Sequence, residues 1–262
     1  MAQQTASNSL GSPFIELQTV DSTNKYAMGL IHAGMAQHGT AIFTQKQTAG
    51  KGQRGKSWIS EPGTNIALSV IIKPDPLKLH EQFYLSAATA LAVHQFFSKY
   101  AEEDDTKIKW PNDLYWRDRK AGGILIESVV SSREAEGGSW EWAVIGIGIN
   151  INQTSFPADL PNPVSLKQVT GKDFDVTILA RELCVCLNEK FSFLMTGNKN
   201  EAIEKYNQHL YKLNEKVKLK KDNRVFEAII KNVSPSGKLM TTHAVDEEFD
   251  FGTVEWVIEK VK

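Results

Sequence analysis

The sequence Gly123-Ile124-Leu125-Ile126-Glu127-Ser128-Val129-Val130 is followed, after a polar segment, by Trp140-Glu141-Trp142-Ala143-Val144-Ile145-Gly146-Ile147. Both runs have the length of a strand and are rich in the β-branched and aromatic residues that strands favour. The segment between them, residues 131–138, contains the charged and glycine residues of a hairpin loop. The two runs therefore predict a pair of neighbouring strands joined by a hairpin.

Further strands and helices are predicted on either side of this pair along the chain. Short apolar runs bounded by glycine, proline or polar residues predict strands at residues 14–17, 39–44, 66–72 and 108–110. Cap residues and helical periodicity predict helices that begin after residues 21–24 and that cover 81–100, 175–195 and 200–210. This mixture predicts a domain of the α+β class.

The C-terminal part of the chain changes character from residue 215 onward. Short alternating segments are broken there by the turn-forming pairs Asp222-Asn223 and Ser236-Gly237, a pattern typical of a small β-barrel. We therefore divide the chain into a loose N-terminal tail (1–12), a large domain (13–212) and a small barrel (213–262).

The composition is that of an ordinary globular protein, with 41% hydrophobic and 23% charged residues. The net charge of −1 gives no electrostatic reason to expect nucleic acid as a partner. No apolar stretch reaches the roughly 18 residues that cross a bilayer, and residues 1–12 are too polar for a signal peptide. Cys184 and Cys186 lie in an apolar helical run and are predicted to be reduced core residues. These features predict a cytoplasmic protein without a membrane partner.

A glycine-rich loop, Gly50-Lys51-Gly52-Gln53-Arg54-Gly55-Lys56-Ser57, matches two nucleotide-binding patterns in its letters. Its glycines fit the dinucleotide fingerprint G-x-G-x-x-G, and the whole loop fits the P-loop pattern G-x-x-x-x-G-K-S. Both patterns require a helix directly after the loop, with its N-terminus on the phosphate. Because Pro62 and Gly63 follow too soon for that helix, both interpretations are rejected.

The same loop nevertheless combines a permissive backbone with positive charge. Its three glycines allow a ligand to approach closely, and Lys46, Lys51, Arg54 and Lys56 concentrate charge in a nearly neutral protein. These residues suit an anion such as a triphosphate. A flexible surface loop with solvated lysines is the alternative that the loop alone leaves open.

Five motifs between Ser22 and Asn152 resemble those of the biotin–protein ligases, in the same order along the chain. That family's motifs read S-T-N, G-R-G-x-x-G, K-W-P-N-D, K-x-x-G-I-L-x-E and G-x-G-I-N. Here they begin at residues 22, 50, 109, 120 and 146, and Lys51 and Gln53 replace arginines that many members carry. With the C-terminal barrel included, the resemblance covers almost the whole chain after residue 12.

The resemblance implies both an architecture and a reaction. The expected fold is α+β: a catalytic domain with a central mixed β-sheet and flanking helices, of the class II synthetase-like biotin/lipoate ligase type, followed by an SH3-like barrel. The expected enzyme uses ATP and Mg²⁺ to convert biotin to biotinyl-5′-adenylate. It then transfers biotin to a lysine of the biotin carboxyl carrier domain of a carboxylase.

Some members of this family also carry an N-terminal DNA-binding domain. Only 21 residues precede Ser22, fewer than the roughly sixty that such a domain needs, so the ligase-only form is expected. The oligomeric state is left open, with a homodimer as one option.

The resemblance also implies contacts with biotin. A biotin pocket needs apolar walls and a few polar groups for the ureido ring, and paired glycines let the backbone pass close to the ligand. The implied positions are Ser22, Thr23, Asn24, Gln47, Gly50, Lys51, Gly52, Lys120, Gly122 and Gly123. From the residues alone, 22–24 also fit plain helix capping.

Contacts with ATP are implied in the same way, at Lys51, Arg54, Lys56, Trp58, Asn112, Lys120 and Asn150. Lys120 and Arg54 are the implied catalytic residues, because a carboxylate and a triphosphate must meet where their repulsion is cancelled. Asp113 is the candidate Mg²⁺ ligand.

Simpler interpretations of four of these residues stay open at the level of sequence. Lys120 lies beside two arginines and fits a solvated turn, and Asp113 fits a turn-forming Asn-Asp pair. Trp58 also fits a core position, and Asn150 also fits a turn.

Two other functions are compatible with the motifs. A lipoate–protein ligase shares the fold and the chemistry but activates a different acid, and the K-W-P-N-D and S-T-N motifs favour biotin over lipoate. A nucleotide-binding regulatory module without catalysis is the second alternative.

Overall fold

Two β-sheets organise the chain, and the computed structural model describes residues 9–131, 139–243 and 245–258. The helices are α1 (Thr23–His32), α2 (Gln82–Ser98), α3 (Leu166–Thr170), α4 (Val176–Met195) and α5 (Lys199–Gln208). The strands are β1 (Phe14–Leu17), β2 (Ala41–Thr44), β3 (Asn65–Ile72), β4 (Thr106–Lys109), β5 (Asp113–Trp116), β6 (Arg119–Val130), β7 (Trp140–Asn150), β8 (Lys216–Lys221), β9 (Arg224–Val233), β10 (Leu239–Thr242), β11 (Asp246–Phe249) and β12 (Glu255–Trp256).

The larger sheet has seven strands in the order β1-β2-β3-β7-β6-β5-β4. β1 and β2 are parallel and the other neighbours are antiparallel, so the sheet is mixed, as the family resemblance implies. β6 and β7 pair from Gly122 opposite Ile149 to Val130 opposite Trp140, which confirms the predicted strand pair. The tip of their connection, residues 132–138, lies outside the described residues.

Both faces of this sheet are covered by helices. α2 and α4 pack together on one face, where Ile66, Leu68 and Val70 of β3 join the main core. α1 lies on the other face, where Ala27 and Ile71 belong to a smaller buried cluster. Because neither face of β3 meets water, this strand is apolar along most of its length instead of alternating.

The segment between β4 and β6 differs from the prediction. Asp113 begins strand β5 instead of following the preceding strand in a turn, and β6 begins at Arg119, ahead of the predicted Gly123. The turn lies between these strands, at Arg117, whose φ of 51° is left-handed. The sequence did not predict β5 or the start of β6, because both carry partly exposed charged residues that also suit a turn. The short helix α3 was also not predicted.

The smaller sheet is antiparallel and has five strands in the order β11-β10-β9-β8-β12. Leu219, Ile230 and Leu239 fill its interior. It is joined to the rest of the structure by hydrogen bonds: Asn207 of α5 exchanges two with the backbone of Val233, and the Trp110 indole donates to the Gly237 carbonyl at 2.9 Å.

Near the N-terminus, contact with the rest of the structure begins at Leu10, within the segment 1–12 that the sequence predicts to be a loose tail. Leu10, which the sequence places in the loose tail, is buried, and its N–H donates to Asn188 Oδ1 at 2.9 Å. Residues 1–8 lie outside the described part. Cys184 and Cys186 are both buried and free, as predicted. Among the described residues, no helix has the length and hydropathy needed to cross a membrane.

A buried histidine makes the stability of this fold depend on pH. His94 of α2 is 3% exposed, its Nε2 lies 2.9 Å from the Thr106 carbonyl oxygen, and its ring centroid lies 4.0 Å from that of His209. Burial, reinforced by the neighbouring His209, lowers the pKa of His94 to about 4. Unfolding returns this pKa to about 6.5, so the unfolded chain binds the proton more tightly.

We therefore expect the free energy of unfolding to hold above pH 6.5 and to fall as the pH drops from 6.5 towards 4, by up to about 3 kcal/mol from this group. His94→Gln should flatten that loss in urea denaturation at pH 7, 5.5 and 4.5. The exposed His243→Gln is the control and should follow the wild type. A wild-type slope in both variants would contradict the assignment to His94.

Candidate active site

A cleft opens where the N-terminus of α1 and the glycine-rich loop face β6 and β7. Its walls combine glycine backbone, small polar groups and aliphatic side chains. The lining residues are Ser22, Thr23, Asn24, Gln47, Lys51, Gly52, Gln53, Trp58, Asn112, Lys120, Gly123, Ile124, Leu125, Gly146, Ile147 and Gly148. An apolar, largely preformed cleft with a few directed polar groups is the usual form of a small-molecule site.

The first turn of α1 supplies one polar wall. Ser22 takes the extended N-cap conformation, but its side chain makes no cap hydrogen bond. Thr23 is held from outside the helix, because its backbone N–H donates to Gln47 Oε1 at 2.9 Å. Plain capping therefore does not account for this polar cluster, and the Ser22 side chain is left to face the cleft.

Two glycines of β7 make room for this wall. A Cβ on Gly146 would collide with the side-chain amide of Asn24, and a Cβ on Gly148 would lie 2.5 Å from the Trp58 ring. Each polar or aromatic side chain thus rests directly on the strand backbone. The G-x-G-I-N motif contains these glycines, but sequence reasoning did not assign them to the site.

The glycine-rich loop crosses the mouth of the cleft without a following helix, as predicted. It holds a single short 3-10 turn (Gln53–Gly55). Gln53 Nε2 donates to the Ile124 carbonyl at 3.4 Å, and Lys51 Nζ lies 3.9 Å from Glu127 Oε1. The replacement of arginine by Gln53 therefore gives the loop a neutral bond to the wall of the cleft.

Arg54 does not turn into the cleft. Its guanidinium lies 3.8 Å from Glu255 of β12, and its side chain is 50% exposed. Lys56 and Gly50 line an adjoining hollow on the outer side of the loop. Closure of Arg54 over bound phosphates would require this loop to move.

Lys120 and Asp113 form an ion pair beside the cleft. Lys120 Nζ lies 2.6 Å from Asp113 Oδ1, and the two side chains are 34% and 15% exposed. The turn interpretation is wrong for both, because they lie on β6 and β5. A Cβ on Gly123 would lie at ordinary contact distance, 3.4 Å from Asp113 Oδ1 and 3.6 Å from Lys120 Nζ, so Gly123 lies directly beside this ion pair.

Lys109 is a charged neighbour that sequence reasoning missed. It pairs with Asp113 in the β4–β5 register, and its Nζ lies 5.3 Å from the Tyr115 ring and 5.1 Å from the Trp256 ring. Burial lowers the pKa of Lys109 to about 8 against the attraction of Asp113. The lysine of K-W-P-N-D carried the signal, but only the fold places it against β12.

Two asparagines hydrogen-bond to the backbone around the cleft. Asn112 Nδ2 donates to the Ile124 carbonyl at 2.8 Å, and Asn150 Nδ2 donates to the carbonyls of Lys120 and Val164 at 3.4 and 3.1 Å. Asn150 ends a strand instead of occupying a turn. Its NH₂ group holds the backbone of Lys120, so the ATP contact expected of Asn150 competes with these bonds.

The predicted site residues thus fall into two groups. Ten line the cleft together: Ser22, Thr23, Asn24, Gln47, Lys51, Gly52, Trp58, Asn112, Lys120 and Gly123. Six lie beside it or behind it: Gly50, Arg54, Lys56, Asp113, Gly122 and Asn150. In Gly122 a Cβ would lie 2.7 Å from the Gly148 carbonyl, so this glycine serves the approach of two strands.

Asp113 is the carboxylate that would meet a magnesium ion next to Lys120. No group of three or more His, Cys, Asp or Glu residues that could hold a metal occurs in the described part of the chain. Asp113 binds Lys120 through Oδ1, and within the described residues Oδ2 has no partner. This fits Mg²⁺, which commonly takes one or two carboxylates and completes its shell with substrate phosphates and water.

Comparison with known proteins agrees with this geometry. The sequence profile of the biotin/lipoate A/B protein ligase family matches residues 16–150, which is more than half of the chain. The chain belongs to this family. Its relatives include the bifunctional ligase/repressor BirA of Bacillus subtilis (strain 168), 35% identical over 71% of this chain and 56% of that protein. Another is the biotin–[acetyl-CoA-carboxylase] ligase of Mycobacterium tuberculosis, 29% identical over 60% of this chain and 56% of that protein.

The fold is that of solved members of the family. A biotin protein ligase from Aquifex aeolicus in complex with biotin and ATP superposes with a TM-score of 0.77 at 25% identity, over 94% of this chain and 99% of that one. Both sheets are therefore those of a biotin/lipoate ligase. The sequence matches to the Bacillus and Mycobacterium relatives span just over half of their length.

The contact between Gly148 and Trp58 should control the order of the loop. We expect Gly148→Ala to displace Trp58 and to speed tryptic cleavage between Lys51 and Lys56 by roughly tenfold, since overpacking costs about 1–3 kcal/mol. Gly29→Ala is the matched control, because its new methyl group meets nothing within 4 Å. Equal cleavage rates in the two variants would show that Trp58 does not anchor the loop.

Proposed function

We propose that this chain is a biotin–protein ligase. It activates biotin with ATP to biotinyl-5′-adenylate and transfers the biotin to a lysine of a biotin carboxyl carrier domain. The observation that carries the proposal is the Lys120–Asp113 ion pair at a cleft whose opposite wall is a cluster of small polar side chains. Such a cleft has a positive group for two anions and a recognition surface for a neutral ring.

The polar wall is the proposed biotin end of the cleft. Thr23 and Gln47 offer a hydroxyl and an amide group beside the aliphatic Ile124 and Ile147, and Asn24 lies next to them in the same wall. A ureido ring needs donors and acceptors at its edge and apolar contact for the rest of the molecule. The relative of known structure that holds biotin and ATP supports this choice of ligand.

Lys120 is the proposed catalytic residue of the first step. The biotin carboxylate attacks the α-phosphorus of ATP and pyrophosphate leaves, so two anions must approach and charge develops on the phosphoryl oxygens. A fixed ammonium between them stabilises that charge, and Asp113 keeps the ammonium in place beforehand. Mg²⁺, held at Asp113, would supply further positive charge to the phosphates.

In the second step the amine of a carrier lysine attacks the acyl carbon and AMP leaves. Exclusion of water from the mixed anhydride is the main requirement, which the glycine-rich loop at the mouth of the cleft would meet.

We place a catalytic domain at residues 13–212 and a separate small barrel at 213–262. Among the described strands, β11 is at one edge of the second sheet, and this edge would offer a surface for a β-rich carrier.

A lipoate–protein ligase is the nearest alternative, since the family includes both activities. Biotin is favoured by the hydrogen-bonding wall at Thr23 and Gln47, because the dithiolane ring of lipoate has no donors for it. A regulatory module without catalysis is less favoured, because it would have no role for the Lys120–Asp113 ion pair at the cleft.

Biotin should support exchange of labelled pyrophosphate into ATP. Adenylate formation is reversible, so a ligase that forms biotinyl-adenylate returns label to ATP only when biotin is present. Lipoate in its place should give a signal near background. Faster exchange with lipoate would reassign the substrate, and no exchange with either acid would remove the ligase function.

Lys120→Ala should lower the rate of adenylate formation by roughly 10²–10³, the usual cost of removing one preorganised transition-state contact. Lys205→Ala is the matched control, because it removes an exposed ion pair on α5 far from the cleft. Single-turnover adenylation and thermal unfolding are measured for both. An adenylation rate near that of wild type in folded Lys120→Ala protein would exclude the proposed catalytic residue.

A further inference from the structure

Ser69 is a fully buried hydroxyl beneath the polar wall of the cleft. It lies on β3 between Ile42 and Gly146 of the neighbouring strands, on the face that meets α1. Its Oγ lies 2.7 Å from Thr23 Oγ1 and 2.6 Å from Asn24 Oδ1. It has no access to solvent or to the cleft, so any effect on a ligand must pass through these two neighbours.

The direction of each hydrogen bond in this cluster can be assigned from one end. The Glu127 carboxylate, at 2.7 Å, and the Leu125 carbonyl, at 3.4 Å, can only accept, so both require the Asn24 NH₂ group. That leaves Asn24 Oδ1 as an acceptor towards Ser69. The single hydrogen of Ser69 is therefore given to Asn24.

The same count of available hydrogens determines the direction in which the Thr23 hydroxyl donates. Because the Ser69 hydrogen is already used, the 2.7 Å contact between the two hydroxyl oxygens requires Thr23 to donate to Ser69. Thr23 Oγ1 then has no hydrogen left for Gln47 Oε1, which fits the longer separation of 3.3 Å. Gln47 Oε1 accepts from the Thr23 backbone N–H instead.

At the cleft, these assignments place a hydrogen-bond acceptor, Thr23 Oγ1, beside a hydrogen-bond donor, the Gln47 NH₂ group. Thr23 Oγ1 presents lone pairs and accepts only. Gln47 has its Oε1 occupied by Thr23, and its NH₂ group has no acceptor among the described residues, so it presents donors. An acceptor beside a donor is the complement of an N–H group beside a carbonyl, as in a cyclic urea.

We infer that the relay Glu127–Asn24–Ser69–Thr23 sets the polarity of the biotin-recognising wall, and that Ser69 is its positioning residue. The inference rests on the proposed function for the identity of the ligand. Without Ser69, the Thr23 hydrogen is free to turn to Gln47 or into the cleft, where it faces a ligand N–H. Recognition of the ring then weakens although no residue that touches the ligand has changed.

Four proteins test the relay: wild type, Ser69→Ala, Thr23→Val and the double variant. Calorimetric titration with biotin alone should show about tenfold weaker binding for Ser69→Ala, the size of one lost neutral hydrogen bond. The KM for ATP in pyrophosphate exchange should stay within about twofold, since the phosphate end is not involved. In the Thr23→Val background, Ser69→Ala should change the affinity for biotin by less than about twofold.

Controls separate this effect from loss of packing. Thr89→Val removes another buried hydroxyl, which donates to the Leu85 carbonyl within α2, and should leave the affinity for biotin unchanged. Ser69→Thr retains a hydroxyl and should recover binding relative to Ser69→Ala. A parallel rise in the KM for ATP, or independent effects of Ser69→Ala and Thr23→Val on biotin affinity, would overturn the relay.

Failure of the proposed function has a different signature. If wild type binds no biotin, the ligand assignment falls, and the relay is judged by urea denaturation of the same four proteins. Coupled losses of stability for Ser69→Ala and Thr23→Val would support the assigned hydrogen bonds. Additive losses would overturn them.

Discussion

The cleft depends on the absence of side chains at two positions of β7. Asn24 lies against Gly146 and Trp58 lies against Gly148, at separations that leave no space for a Cβ. One glycine therefore sets the depth of the polar wall, and the other sets the position of the loop that crosses the mouth. Because a sheet strand cannot move aside without losing its neighbours, the two contacts constrain α1 and the loop together.

Charge is organised around the same sheet. Asp113 lies between Lys120, which it binds directly, and Lys109, its partner across the β4–β5 ladder. One carboxylate thus faces two ammonium groups, and this end of the cleft keeps an excess of positive charge. Trp256 of the second sheet covers Lys109, so the two sheets meet at a charged group as well as through apolar packing.

Much of the architecture was predictable from the sequence. Strands such as β3 and β7 and the long helices α2 and α4 have apolar patterns that few alternatives satisfy. The region from β5 to the start of β6 was not predictable, because its strands lie near the sheet edge and carry charged residues that also suit turns. For the same reason, the sequence did not predict that Lys120 lies on a strand, a position that follows from the pairing of β6 with β5.

The sequence by itself determined the family motifs and so the residues proposed for the chemistry: the S-T-N cluster, the glycine-rich loop and the lysine of the K-x-x-G motif are contiguous patterns. Only the tertiary structure decided how they act together. Ser69 lies under Thr23 because β3 passes beneath α1, and Arg54 points to Glu255 because β12 lies beside the loop. Contacts of this kind join residues far apart in the chain, and their geometry is set by how the sheets and helices pack rather than by any local pattern.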